Sequence, residues 1–398
     1  MKYLRKYLLL LLLIPTFGLA EGEKKSGLTP ENIHDLGVML SPAESQKQKM
    51  ALKLSAQWHA GLNKFLAETE DPYLLALALF RIVNDDSHRQ GMSVIKGQEK
   101  KPSNLPAEQI AKNINNLVEN AAQLRPETIT ILAGICFYQS IVPHCDKPLM
   151  INSRIKHDRL NLISYIQPLA LSIQENDQEK ITKLLNLMTK TAYSDMHFYL
   201  LPSFQEAIKR YATANPMPQE VVDNELAFYK KMQSPSDEAK ASRKKHMRTE
   251  LLYLVEVSTL MSFPVPGFRV LMDYCKKDSS LHNQCLKVAD ILIEKSRDDI
   301  STIVGYQIKK SVLEVTNKKD AATTVQSQLE TYKEKRQCLL DYINEHRFND
   351  VLKGIEQDRI RNNPMHTEFE NFIKQTEYLY EKRIDQADIK DPAYCLTE

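Results

Sequence analysis

The chain of 398 residues carries 53 lysines and arginines against 51 aspartates and glutamates, which gives a formal net charge of +2. Binding to nucleic acid or to an anionic membrane surface requires a strongly basic face, and this near-balance of charge argues against both classes. Only 11 residues are glycine, against a usual frequency of about 7%. Helix-forming residues are abundant and no alternating apolar run indicates a strand, so the composition predicts an all-α fold.

The first twenty residues have the pattern of a secretory signal peptide. A basic start is followed by an apolar segment at 7–14, too short to span a bilayer, and by Gly18 and Ala20, the small residues that a signal peptidase requires. We predict cleavage after Ala20, a flexible N-terminal segment at 21–40, and a mature protein in the periplasm or outside the cell. Removing three of the 53 basic residues leaves 50 against 51 acidic residues, and no later segment is apolar enough to span a membrane.

Six cysteines follow the predicted cleavage site, and an even number of cysteines in an exported chain predicts disulfides. The sequence does not select one pairing, but the spacing favours neighbours. The favoured pairs are Cys136 with Cys145, Cys275 with Cys285, and Cys338 with Cys395. The competing hypothesis is a metal site that adds His144 and His282. Because no CxxC or HxxxH motif accompanies these cysteines, we expect no metal.

Capping residues, prolines and apolar periodicity predict the first helices. The first helix is predicted to start at a capping box formed by Ser41 and Glu44, with Pro42 at the first helical position. Trp58 lies in this helix and is expected to anchor the core. Asp71 caps a second helix that is apolar on nearly every side, which indicates burial. The polar run at 85–106 predicts a long loop. The first two helices are predicted to end near residues 67 and 84. A third is predicted to run from Pro106 to about residue 124, and a fourth includes Cys136.

The segment 136–201 is the one around which the remaining helices are expected to be arranged. After a cysteine-bracketed loop, Asp158 is predicted to cap a helix that extends to about residue 173. A polar turn at 175–177 leads to a second amphipathic helix that ends near residue 188. The two helices together predict a helical hairpin.

A third helix is predicted directly after this hairpin. Ser194 and Asp195 are expected to cap it, and its apolar stripe includes His197 and extends to Tyr211. We expect His197 to be a buried core histidine. Asp195 should point to a different face, because residues two apart on a helix do not lie side by side.

The C-terminal half is predicted to be helical throughout. Breaks at 215–218, 234–237 and 264–267 separate its first helices, Asp298 caps a helix to about residue 315, and two or three long charged helices lie within 319–386. Short connections favour antiparallel neighbours, so we predict stacked antiparallel helical hairpins, an α-solenoid. The expected division is an N-terminal helical repeat region at 41–215 and a C-terminal helical region at 216–398.

The hairpin resembles a known repeat. The run Asp158-Arg-Leu-Asn161, the aliphatic-aromatic helix, Asn176-Asp177 and the second helix resemble a degenerate tetratricopeptide hairpin. The mature chain is similar to uncharacterised exported bacterial all-helical proteins, which have a Cys…Cys-Asp element before such a hairpin, here Cys136, Cys145 and Asp146. The resemblance implies a helical scaffold that binds peptides or proteins, and it implies no catalytic residue.

The usual hydrolase motifs do not support an enzyme. No GxSxG is present, and the three Ser-x-x-Lys matches at Ser93, Ser153 and Ser242 lack a Lys-Thr-Gly partner. The single Glu-Ser dipeptide, Glu44-Ser45, lies in the first capping box and not in the context of a murein transglycosylase. No HExxH or histidine cluster indicates a metallohydrolase, so we expect neither cofactor nor metal.

Two further features have simple interpretations. Glu256 is the only charge between residues 251 and 263; a buried carboxylate there could act as a general acid, but a solvated polar stripe is the preferred interpretation. The basic run 243–248 is expected to be a solvated helix face with internal ion pairs.

The sequence therefore predicts an exported, non-catalytic helical-repeat protein that binds a protein or peptide. The alternative is a cell-envelope enzyme, a peptidoglycan or peptide hydrolase, whose acid and base meet only in three dimensions.

Overall fold

The computed structural model describes residues 42–95, 107–120, 124–138, 145–232, 237–263, 265–348, 350–361, 363–383 and 389–397. These residues form sixteen α-helices and three short 3₁₀ helices, and the only β-type pairing among them is two isolated bridges. The all-α prediction is therefore confirmed. The predicted signal peptide, its cleavage site at Ala20 and the segment 21–40 lie outside the described residues.

The α-helices are α1 (Pro42–Ala67), α2 (Pro72–Ile95), α3 (Ala107–Asn120), α4 (Pro126–Tyr138), α5 (Lys147–His157), α6 (Ile166–Gln174), α7 (Gln178–Met188), α8 (Pro202–Ala214), α9 (Gln219–Met232), α10 (Asp237–Met261), α11 (Phe268–Lys277), α12 (His282–Glu294), α13 (Asp299–Val315), α14 (Lys319–Glu345), α15 (Val351–Arg361) and α16 (Glu368–Glu381). The 3₁₀ helices are Leu162–Tyr165, Ser279–Leu281 and Pro392–Cys395.

In the part of the chain before residue 160, the structure corrects the helix prediction in two places. Helix α2 continues to Ile95, so the first part of the loop predicted at 85–106 is helical. Helix α5 was not predicted. Its signal is present, because the Asp146 side chain accepts a hydrogen bond from Leu149 N at 2.9 Å, Pro148 stands in the first turn, and basic residues fill the last turn.

Asp158 ends α5 and does not start a helix. It is the C-cap residue of α5, and its carboxylate is used in a buried polar cluster. The following 3₁₀ helix is capped by Asn161, whose side chain accepts from Ile163 N. The turn at 175–177 and helix α7 lie where predicted, with Asp177 as the N-cap.

Three main core clusters hold the helices together. The first is formed by buried side chains of α1–α5 and α8–α10 and includes Trp58, which is 5% exposed, as predicted for a core anchor. The second is formed by the first 3₁₀ helix and α6, α7 and α11–α13. The third joins α14 and α16 to the C-terminal tail. Full burial of one large apolar side chain stabilises the fold by about 1.5–3 kcal/mol.

Both neighbouring and distant helices pack together. Consecutive pairs in contact include α1 with α2, α6 with α7, α12 with α13, and α15 with α16. Other contacts join helices far apart in sequence, such as α1 with α9 and α10 with α15. The first core cluster takes side chains from both sides of residue 215, and the division at that position stays a prediction of domain organisation.

Three disulfides cross-link the helices. The bonds are Cys136–Cys145, Cys275–Cys285 and Cys338–Cys395, the pairs that the spacing favours, and no cysteine is free among the described residues. The third bond ties the tail to α14. Because every cysteine is bonded, none is a thiolate that could bind the metal of the competing hypothesis, and its histidine partner His144 lies outside the described residues.

Within the part of the chain that the structure describes, no helix has both the length and the apolar character needed to cross a bilayer.

Candidate functional site

The segment between α7 and α8 is not helical, and this corrects the third helix predicted after the hairpin. Pro202 is the first residue of α8, and a proline there disfavours helical backbone at the residue before it. His197 has φ 54°, outside the right-handed helical region. The Ser194 N–H donates to Lys295 O at 3.1 Å, and Ser194 O accepts from Arg297 N at 2.8 Å. The segment therefore pairs with the connection between α12 and α13.

A buried cluster of polar side chains surrounds this segment. We call Asp158, Asn161, Tyr193, Asp195 and His197 the polar junction. Asn161 is fully buried and lies at its centre. Its Nδ2 donates to Asp158 Oδ2 at 2.8 Å and to Asp195 O at 2.7 Å, while its Oδ1 accepts from Asp195 N at 3.0 Å. The Asn161 side chain thus bonds to both the C=O and the N–H of Asp195. In a helix or strand, other backbone groups would make these two bonds.

His197 connects the two carboxylates of the polar junction. Its Nε2 lies 2.8 Å from Asp158 Oδ2, and its Nδ1 lies 3.5 Å from Asp195 Oδ2. Burial acts to lower the pKa of His197, but the hydrogen bond to Asp158 and the charges of Asp195, Asp158 and Glu127 outweigh it and raise the pKa. The prediction that His197 is buried was right. The prediction that Asp195 points to a separate face was wrong, because neither residue lies on a helix.

The polar junction is closed to a substrate. His197 is 5% exposed, and Asp158 and Asp195 are each 4% exposed. A catalytic acid or base must come within hydrogen-bond distance of the reacting group. We therefore interpret the junction as a structural ion-pair network that joins α5, the 191–201 segment and the start of α13.

A small open pocket lies between α1, α2 and α10. It has a volume of about 150 Å³, and its lining includes the charged residues Arg81 and Asp85. We call it the Arg81 pocket. Its lining residues are His59, Phe80, Arg81, Asn84, Asp85, Ser258, Thr259 and Ser262.

Arg81 is held by uncharged partners. Its Nε donates to Asn63 Oδ1 at 2.8 Å and its Nη1 to Thr259 Oγ1 at 2.6 Å, while its Nη2 lies 3.1 Å from His59 Nδ1. The side chain is 7% exposed. Burial lowers the pKa of Arg81 and the charge of Asp85 raises it. A guanidinium has five N–H donors, so these bonds leave one donor on each terminal nitrogen without a partner among the described residues.

His59 forms one wall of the Arg81 pocket. Burial and the neighbouring charge of Arg81 lower the pKa of His59 to about 4, so its ring is neutral at pH 7 and accepts from Arg81. The same ring meets the only tryptophan edge-on, with 5.4 Å between the centroids of His59 and Trp58. Trp58 is thus placed to report on the contents of the pocket.

A larger open space runs along α7 but is lined by that helix alone. It has a volume of about 580 Å³ and is lined by residues of α7 and by Lys190 just after it. Ligand sites enclose most of a ligand's surface with groups from several directions. A furrow along one helix lacks that enclosure, so the Arg81 pocket is the better candidate binding site.

The serines of the Ser-x-x-Lys matches are not assembled into a catalytic site. Ser242 donates to Asp350 Oδ2 at 2.7 Å and Ser153 is a buried residue of α5. The side chain of Ser93 lies outside the described residues. Among the described residues, no three His, Cys, Asp or Glu side chains are arranged to hold a metal ion.

The preferred interpretation of Glu256 was wrong. The residue is 5% exposed, because α15 covers this face of α10, and Arg359 Nη2 lies 3.7 Å from its Oε1. Burial raises the pKa of Glu256, against the opposing charges of Arg359 and Lys209. In the basic run, Arg243 Nε lies 3.2 Å from Glu250 Oε1, as expected for an internal ion pair.

Comparison with known proteins gives no match: no family model, curated protein or solved structure is significantly similar to this chain.

Proposed function

We propose that the chain is an exported protein, periplasmic or secreted, whose helices stack as antiparallel hairpins and which binds a protein or peptide partner without catalysing a reaction. The observation that carries the binding role is the Arg81 pocket. It presents a fixed, mostly buried guanidinium in an opening that is also lined by hydroxyl and amide groups. Such convergent polar groups in a concave site give orientation and specificity to a ligand.

Two further observations support this proposal. Three disulfides fit an oxidising compartment, where such bonds persist, and this supports export. The acid and histidine groups that lie together, those of the polar junction, are enclosed and have no access to a substrate. Helical scaffolds stabilised in this way commonly present a fixed surface to a partner.

The test is site-specific photo-crosslinking in the intact exported protein. A photoreactive residue replaces the exposed Leu254, which lies one turn before Ser258 on α10 and does not line the pocket, and the control replaces the exposed Ser327 on α14. We expect a defined adduct from position 254 and none from position 327, and we expect the purified partner to bind the purified chain. The same adducts from both positions, or none from either, would contradict the proposal.

Enzymatic activity is assayed in parallel. The purified mature chain is incubated with murein sacculi and with a mixture of peptides, and we expect no turnover. Turnover that disappears in Glu256→Gln, with the helical spectrum and melting temperature unchanged, would replace the proposal with the envelope-hydrolase alternative.

A further inference from the structure

The three hydrogen bonds of the Arg81 guanidinium described above all join it to uncharged groups, and Asp85 is an acidic residue whose charge acts on it. A charged group removed from water is costly unless an opposite charge or several hydrogen bonds compensate it. Here the bonds come from Asn63, Thr259 and neutral His59. Asp85 also lines the pocket, but it is an exposed residue at its rim. The two remaining N–H donors on the terminal nitrogens are thus available to an incoming anion.

The size of the pocket limits the anion. A volume of about 150 Å³ corresponds to about five waters, at about 30 Å³ of liquid volume each. That space holds a carboxylate and the few carbon atoms that carry it. The negative charge of Asp85 at the rim disfavours a dianion. Planar guanidinium donors match a carboxylate in a two-bond arrangement.

We propose that the Arg81 pocket binds a single carboxylate, supplied by an acidic side chain of the partner peptide or protein. The proposal rests on the binding function argued above and specifies its chemistry. The Ser258 and Ser262 hydroxyls line the same space but donate to the backbone carbonyls of Val255 and Ser258. The Asn84 amide gives one N–H to Ser262 Oγ at 3.0 Å, and its second N–H can donate to the other oxygen of the carboxylate. Phe80 contributes an apolar wall for the methylene carbons.

The experiment measures two reporters in the full-length mature protein: His59, which lines the pocket, and Trp58, whose ring contacts His59. One is the pKa of His59, followed by NMR of protein labelled at histidine, and the other is the fluorescence of Trp58. The probes are N-acetyl-glutamate amide, its neutral isostere N-acetyl-glutamine amide, and inorganic phosphate. An anion beside Arg81 offsets the positive charge that lowers the pKa of His59, so we expect the glutamate probe to raise that pKa by about one unit. The glutamine probe should leave it unchanged.

Variants test the assignment. Arg81→Met should weaken binding of the glutamate probe at least tenfold, and Ser258→Leu, which fills the pocket from an exposed position, should do the same. Ser327→Leu on α14 is the matched control and should bind as the wild type does. If Arg81→Met does not fold, Ser258→Leu alone decides the matter. Equal binding by wild type and Ser258→Leu, equal binding of both amide probes, or tighter binding of phosphate would each overturn the carboxylate assignment.

The two proposals fail in distinguishable ways. A partner that crosslinks at position 254 but binds Arg81→Met and Ser258→Leu as tightly as the wild type leaves the binding function intact and rules out the carboxylate. Binding of the glutamate probe together with no adduct from position 254 leaves the carboxylate site intact and rules out a protein or peptide as its source.

Discussion

His197 Nε2 lies 2.8 Å from Asp158 Oδ2, although the two residues are 39 positions apart in the chain. The pair joins the end of α5 to the extended segment before α8. Both side chains are almost fully buried, and Tyr193 Oη donates to the other oxygen of Asp158 at 2.6 Å. The carboxylate of Asp158 therefore depends on partners that the segment 191–201 brings to it.

Replacing His197 by Asn should lower the stability of the fold. Asn tolerates the positive φ of this position, but it is too short to reach Asp158, whose buried charge then loses its ionic partner. Removing one member of a buried pair costs about 3–5 kcal/mol, and a fall of that size is expected in the free energy of unfolding by urea. Lys64→Ala is the control: it breaks an exposed pair with Glu68, which is expected to cost less than about 1 kcal/mol. A similar loss of unfolding free energy in both variants would show that the buried pair of His197 and Asp158 is not the source of the loss.

The contribution of His197 should depend on pH in a definite direction. Its pKa is raised in the folded state above the ordinary value of 6.5, so its stabilisation is fully present below 6.5 and is lost as pH rises through the folded value. Asp158 has a lowered pKa, owing to its bonds with His197, Tyr193 and Asn161, which outweigh burial. The stabilisation that Asp158 contributes is therefore fully present above pH 3.8 and is lost as pH falls through its lowered pKa. The difference in melting temperature between wild type and His197→Asn should therefore become smaller as pH rises above 6.5; a constant difference would refute this.

The sequence predicted the helices better than it predicted the junction. Asp298 caps α13 and Asp177 caps α7 as expected, because capping depends on residues a few positions apart. The apolar spacing around His197 imitated a helix, and the local signal that argued otherwise was Pro202. The burial of Glu256 depends on α15, about a hundred positions away, and no local pattern records that contact.

The Arg81 pocket was not predicted for the same reason. Its residues come from α1, α2 and α10, and Arg81 donates to Thr259 across 178 positions of chain. The sequence did show a helix so apolar that it had to be buried, and an arginine within it. A charge within a buried apolar stretch of helix is a signal that a polar site lies beside it.

Asp298→Asn should stabilise the protein at pH 8, and the gain should decrease steadily as pH falls from 7 towards 3.8. Burial raises the pKa of Asp298 to about 7, assisted by the charges of Glu368 and Asp195, although bonds from Ser301 oppose the shift. The stabilisation from its neutral form is fully present below 3.8 and is lost as pH rises through 7. The amide of Asn stays neutral and still accepts from Ser301 N, which lies 2.7 Å from Asp298 Oδ1. We expect a melting temperature several degrees higher at pH 8.

Asp278→Asn provides a control of opposite sign for that experiment. Bonds from Ser280 and Tyr274 lower the pKa of Asp278 to about 2, so its carboxylate stabilises the fold above 3.8 and loses that effect only as pH falls through 2. Asp278→Asn should therefore lower the melting temperature at pH 8. Equal shifts in the two variants would mean that loss of charge, and not its surroundings, determines the result.

The disulfide to the tail should contribute more than the first one. Cys338 and Cys395 are 57 positions apart, whereas Cys136 and Cys145 are 9 apart. Closing the longer loop restricts the unfolded chain more, by about 4 kcal/mol against about 2.6 kcal/mol in the loop-entropy model. The double variant C338A/C395A should therefore unfold at lower urea concentration than C136A/C145A. The reverse order would show that native packing around the first bond outweighs loop entropy.

Gly61 permits close contact between α1 and the ring of Tyr211, and this contact can be tested by a pair of substitutions. A Cβ at position 61 would clash with Tyr211 Oη, so Gly61→Ala should destabilise the fold by about 1–3 kcal/mol through overpacking. Tyr211→Phe removes that oxygen, with the loss of one hydrogen bond to Trp58 O. In the Tyr211→Phe background, Gly61→Ala should cost less than in the wild type, because the clashing oxygen is gone and alanine favours helix over glycine by about 1 kcal/mol, while the ring Cζ at 3.2 Å stays a tight contact. Gly354→Ala on α15, where the nearest atom lies 3.8 Å away, is the matched control and should be neutral or stabilising in both backgrounds. Urea unfolding of all four combinations at position 61 and 211 measures the coupling, and additive effects would mean that the Tyr211 oxygen is not what excludes a methyl group there.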